Sequence, residues 1–180
     1  MVRCGVVGRL IVIGVLVLAS RGSGFAQAPA PGGAAGQPRI YANMLYVMRG
    51  ILYPASNVIF TVQSDDPTSF KPAARPSTSS DPLTSVYGGW DAVGNAGFAL
   101  AEAANLLIVP GRTCSNGRVA PVQNADWQMF VQEVRDAGMQ VVKLAEKKDS
   151  DAILDTAQLV ADSCLHCHNK YRNNARAGRC

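Results

Sequence analysis

Residues 149–172 read DSDAILDTAQLVADSCLHCHNKYR, and how that stretch is taken decides the fold. Ile153, Ala157, Val160, Cys164, Cys167 and Tyr171 recur at steps of three and four, which lines them along one stripe of an α-helix. Asp149 or Ser150 at its head can accept from the unpaired amides of a first turn, so a helix is predicted to open there. The stripe is aliphatic at its start and carries two thiols near its end.

Working outward, the same period appears three more times. After Asn124, predicted as a side-chain N-cap, the residues Trp127, Phe130, Val134, Gly138, Val141 and Ala145 share a face, and Lys147-Lys148 places positive charge at the negative end of the helix. Beyond the Gly88-Gly89 break, Trp90, Val93, Gly97, Leu100, Ala104 and Leu107 form a third stripe that stops before Pro110-Gly111. The earliest helix is predicted from Ile40 to about Gln63, with Met44, Val47, Met48, Ile51, Leu52, Val58, Ile59 and Val62 as its buried set. Pro54 lies inside it, where the missing amide and the ring should kink or interrupt the helix. Residues 64–85, with Pro67, Pro72, Pro76 and Pro82, are expected to be an irregular connection, of a length usual for functional covers or flexible links. Four helices of about 20 residues and no alternating strand predict an all-α fold, an antiparallel four-helix bundle.

The chain has 180 residues, 48% hydrophobic and 17% charged, enough to close one core, and this excludes a disordered tail. Residues 1–28 have Arg3 and Arg9, an apolar run from Leu10 to Ala19, and a small-x-small end at Ala26-Gln27-Ala28. That is the layout of a secretory signal too short to span a bilayer, and it predicts export to the periplasm with cleavage near Ala28. Cys4 precedes the apolar run and is expected to leave with the leader. Residues 29–39, rich in Pro, Gly and Ala, read as a tether, and residues 40–180 as the domain. Removing Arg3, Arg9 and Arg21 from seventeen basic residues leaves fourteen against thirteen acidic, a net charge of +1. No basic stripe remains for nucleic acid, and no further segment is apolar enough to cross a membrane.

Cys164-Leu165-His166-Cys167-His168 is a C-x-x-C-H motif, the attachment signature of c-type haem. With five cysteines and two histidines in 180 residues, chance produces this spacing roughly twice in a thousand such chains. Thiols three apart share a helix face, so both can add to vinyl groups of one porphyrin, and His168 stands where it can take the iron as proximal ligand. A structural zinc site would need a distant second pair of ligands. A Cys-x-x-Cys oxidoreductase motif belongs at a helix start after a strand, and a disulfide fits poorly across one helical turn. His166 lies on another face and is read as a solvated position.

The run from Cys164 to Arg172, near the end of a four-helix chain, resembles the class II c-type cytochromes: cytochrome c-prime and its low-spin, methionine-ligated relatives. The resemblance covers residues 40–176. It implies an exported protein with one covalent haem c, a single-electron carrier or a gas-binding haem protein; the electron carrier, with redox proteins as partners, is the expectation, and with no spare histidine on the first helix for distal acid-base work an enzyme is not expected. It also implies a distal haem face covered by the first helix, through a methionine ligand or through an apolar residue that leaves the iron open to nitric oxide or carbon monoxide. Met44 and Met48 stand one turn apart on that helix. Val47-Met48-Arg49 is similar to the Leu-Met-Lys context of the low-spin ligand, so Met48 is the expected sixth ligand, with Met44 second. Arg172, four residues past His168, is expected to pair with a haem propionate. A homodimer is compatible with the same reading, and Cys114 with Cys180 are either a disulfide or two separate thiols.

Overall fold

The computed structural model describes residues 38–173 and 180. The expected leader and nearly all of the tether therefore lie outside the described residues. What is described is all-helical, with four helices and, in place of any strand, an isolated bridge between Thr113 and Val119. No helix among the described residues is long and apolar enough to cross a membrane.

Helix α1 covers residues 44–61 in three consecutive stretches, Met44–Val47, a π-helical turn Met48–Leu52, and Tyr53–Thr61. Asn43 caps it, its side chain accepting from the Tyr46 amide. The helix starts four residues later than its apolar period suggested, because the Met44 amide is taken by the Thr113 carbonyl at 2.8 Å. Pro54 does not interrupt it. Proline has no amide to give, and in an α-register its ring would strike the carbonyl of Gly50. The turn before it opens instead, the Tyr53 amide reaching back five residues to the Met48 carbonyl.

Residues 64–85 are not a loose link. Pro67–Ser69, Pro76–Thr78 and Pro82–Thr84 are short 3-10 turns with proline in the first turn, two of them capped by Asp66 and Asp81. Pro67 and Leu83 are buried, and the Trp90 indole N–H donates to Thr68 Oγ1 at 3.0 Å. The connection is thereby seated on the start of the next helix.

Helix α2 is Trp90–Leu107 and α3 is Ala125–Lys147, and their predicted stripes are buried apart from Phe130, which is half-covered. A Cβ on Gly97 would lie 2.7 Å from the Gly138 carbonyl oxygen, and one on Gly138 2.7 Å from the Gly97 carbonyl oxygen. These two glycines let α2 and α3 touch backbone to backbone. Lys148, in the left-handed region at φ 53°, ends α3, and the Asp149 carboxylate then accepts from the Ala152 amide to open α4, Ser150–Cys167. A second π turn, His168–Arg172, continues α4. The expectation for Asn124 was wrong in one respect. It stands at the N-cap of α3, but its side chain makes no capping bond and donates instead to Tyr171 Oη at 3.2 Å.

One apolar core joins all four helices. Arg112, 4% exposed, is held by main-chain carbonyls: Nε donates to the Leu106 carbonyl near the C-terminal end of α2, and Nη1 to the Ala42 carbonyl before α1. Carbonyls at a helix end carry partial negative charge and can host a guanidinium. Arg112 thus ties the entry of α1 to the exit of α2. Cys114 and Cys180 are joined as a disulfide.

Candidate haem site

A cavity of about 1000 Å³ opens among α1, α3, α4 and the second π turn. That lies at the upper end of the range for cofactor and ligand sites, roughly 300–1,000 Å³. Its lining brings Met44, Met48, Leu52 and Phe60 of α1 together with Cys164, Cys167 and His168 of the motif and with Trp127 and Phe130 of α3. Every residue predicted for the site, Arg172 included, borders this one space.

The thiols of Cys164 and Cys167 are free, each in a half-buried residue. Burial pushes both up from the usual cysteine range, and Cys167, beside Cys164, Asp126 and Glu133, reaches about 12. Both are therefore neutral thiols at physiological pH, poor nucleophiles toward oxidants in bulk water. Burial, followed by the charge of Arg172, lowers His168 below the usual histidine value, so its imidazole is held in the neutral form that binds metals. Among the described residues no cluster of three or more His, Cys, Asp or Glu side chains is disposed to hold a bare metal ion.

The methionines differ. Met44 is 1% exposed and belongs to the core, whereas Met48 is half-buried and packs against that core from its edge. The charged side chains of the lining are Arg49 and Arg172, both cationic, and both exposed. Arg172 Nε donates to Asn173 Oδ1 at 3.0 Å. His166 is on the outside, its Nδ1 paired with Glu133 Oε2 at 2.8 Å, as a solvated position should be.

Three residues shape the site without a signal strong enough to single them out beforehand. Trp127 donates to the Leu107 carbonyl at 3.0 Å and meets the Tyr171 ring edge-on with centroids 4.8 Å apart. The Tyr171 hydroxyl donates to Asp126 Oδ1 at 2.8 Å, while Lys170 pairs with the other carboxylate oxygen. The Cys180 amide donates to the Tyr171 carbonyl at 2.9 Å. Trp127 and Tyr171 were legible as stripe residues, but Asp126 was only a first-turn acid in the sequence.

The donor set fits a haem attached through two thioethers. Two free thiols and a neutral imidazole occupy one wall, a thioether side chain belongs to another, the floor is apolar, and the cationic residues suit acidic edge groups. Comparisons with protein-family models, with curated proteins and with solved structures returned no match for this chain.

Proposed function

We propose that the chain is an exported monohaem c-type cytochrome of the class II kind, an antiparallel four-helix bundle that carries single electrons in the periplasm. One observation carries the reading: the C-x-x-C-H thiols and His168 border the same apolar cavity as Met48 of α1. Haem, when bound, supplies a one-electron couple. The chain's own residues would do the rest: Cys164 and Cys167 would hold the group covalently, and His168 and Met48 would ligate its iron. Arg172 would pair with an acidic edge group of the haem. The lining offers no carboxylate and no second imidazole, which favours electron transfer over acid-base turnover. A packed α-helical frame holding both ligands needs little rearrangement when charge changes.

The test is a visible spectrum of the exported protein, made in cells that mature c-type cytochromes, together with its intact mass. A mature chain beginning near Pro29, heavier by one haem, with a six-coordinate low-spin spectrum and little carbon monoxide binding, is expected. Colourless protein with only the polypeptide mass overturns the reading. Met48→Ala should turn the spectrum high-spin and admit carbon monoxide. If wild type already does both, the five-coordinate gas-binding alternative replaces the electron carrier.

A further inference from the structure

We infer that the Cys114–Cys180 bridge has a second task besides stapling the fold: it withholds Cys180 from the two attachment thiols, and so keeps Cys164 and Cys167 reduced for haem. This rests on the cytochrome reading for what the two thiols are kept for, but not for which sulfurs pair.

Three of the four described cysteines border one space. Cys164, Cys167 and Cys180 all line the large cavity. Cys114, 4% exposed, is packed in the core and lines a small separate cleft with Cys180 and Tyr171. The Cys180 amide donates to the Tyr171 carbonyl at 2.9 Å, and Tyr171 stands one turn beyond Cys167 along the same stripe. Cys180 is thereby held against the helix end that carries the motif. Bridged to Cys114 it has no thiol to offer, and Cys164 and Cys167 are free.

Chain statistics favour the wrong pairing. Cys180 is 66 residues from Cys114 but 13 from Cys167 and 16 from Cys164. Loop-closure probability falls as about the 3/2 power of length, so in the unfolded chain Cys180 meets Cys167 roughly ten times as often as it meets Cys114. A small disulfide oxidant acting on that chain joins Cys180 to an attachment thiol first, and is itself reduced to two thiols that carry off the two hydrogens. Packing reverses the preference, because it seats Cys114 in the core against Cys180. The Cys114 thiolate then attacks the Cys180 sulfur. The Cys114–Cys180 bond forms, the Cys167–Cys180 bond breaks, and the Cys167 sulfur leaves with the electron pair and takes up a proton. That exchange consumes no oxidant. Without Cys114 nothing resolves the wrong bridge, and a sulfur held in a disulfide cannot add to a vinyl group.

Four exported proteins are compared in cells that mature c-type cytochromes: wild type, Cys114→Ser, Cys180→Ser and the double serine variant. Intact mass gives the haem-loaded fraction, and alkylation with non-reducing peptide mapping gives the thiols and disulfides of the haem-free remainder. All three variants lack the bridge, so its stabilisation is lost alike from each. Cys180→Ser and the double variant are expected to keep both attachment thiols free and to load haem alike. Cys114→Ser alone is expected to load several-fold less, its haem-free chains carrying a disulfide from Cys180 to Cys167 or Cys164, and a thiol reductant in the medium should restore its loading. Loading by Cys114→Ser that equals or exceeds that of Cys180→Ser overturns the inference, as do haem-free Cys114→Ser chains without that disulfide. A second measurement does not depend on the variants folding: reduced wild type is oxidised with glutathione disulfide in urea. There the Cys167–Cys180 bridge is expected to exceed Cys114–Cys180 by roughly tenfold, and an excess of Cys114–Cys180 overturns the inference as well. Colourless wild type would sink the cytochrome reading alone, because the disulfide maps of the variants still decide whether Cys114 protects the pair.

Discussion

Asp126 concentrates the electrostatics behind the cavity wall. Its carboxylate accepts from Lys170 and from the Tyr171 hydroxyl, and those two bonds hold it below the usual aspartate range. A carboxyl group whose folded value is depressed contributes stability that is fully present above its unfolded value, near 3.8, and disappears as pH falls through the folded value. Asp126→Asn should therefore be less stable than wild type at pH 7, and the gap in urea midpoint should close as the pH is taken below about 4. A gap of constant size down to pH 2 would mean that the loss comes from packing and not from charge. The same residue shows why Asn124 departs from its expected role. The side-chain NH2 of Asn124 donates to the Tyr171 hydroxyl, which fixes the orientation of its amide, and no local pattern foretells a neighbour 47 residues away.

At the scale of elements, the crossing of α2 and α3 depends on two residues with no side chain. Gly138→Ala would set a methyl carbon 2.7 Å from the Gly97 carbonyl and 3.0 Å from the Ala101 amide nitrogen, both of them backbone. Neither can move without moving a helix, so a destabilisation of about 1–3 kcal/mol is expected by denaturant titration. A neutral substitution would show that the helices separate freely. Both glycines were visible in the sequence as members of apolar stripes, and so were the four helices, since a period of 3.6 persists over many residues and is hard to imitate. The π turn was not legible. Met44, Val47, Met48, Ile51 and Leu52 satisfy the helical period whether or not one turn is π, and only the hydrogen bond from the Tyr53 amide to the Met48 carbonyl tells the two apart. The motif itself was legible because its chemistry is local. The cavity it faces was not, because Met48 and Cys164 are brought together by the packing of separate helices.

For the whole molecule, the sequence left the pairing of Cys114 and Cys180 undecided, as spacing alone must. The disulfide spans 66 residues, and closing a loop of that length in the denatured chain corresponds to about 4 kcal/mol in the chain-entropy account. Its position makes it more than a clip. The residues just before Cys114 hold the entry of α1, through the Thr113 carbonyl and the Arg112 guanidinium, while Cys180 is hydrogen-bonded to Tyr171 in the π turn that begins with His168. The wall that carries Met48 and the wall that carries the C-x-x-C-H motif are thus fastened at one end of the cavity, where Ser115 and Cys180 complete the lining. Replacing both cysteines by serine should lower stability by about 4 kcal/mol in urea. Treating wild type with a thiol reductant should reproduce most of that loss, and under the proposed thioether attachment it should do so without releasing haem, because thioethers are not reduced. Where the 66-residue loop is closed in the folding transition state, the entropic account puts the loss in slower folding of the serine variant, since the bridge has already closed that loop in the denatured wild-type chain. If the serine variant instead unfolds faster and refolds at the wild-type rate, the two ends that the bridge joins come together only after the transition state.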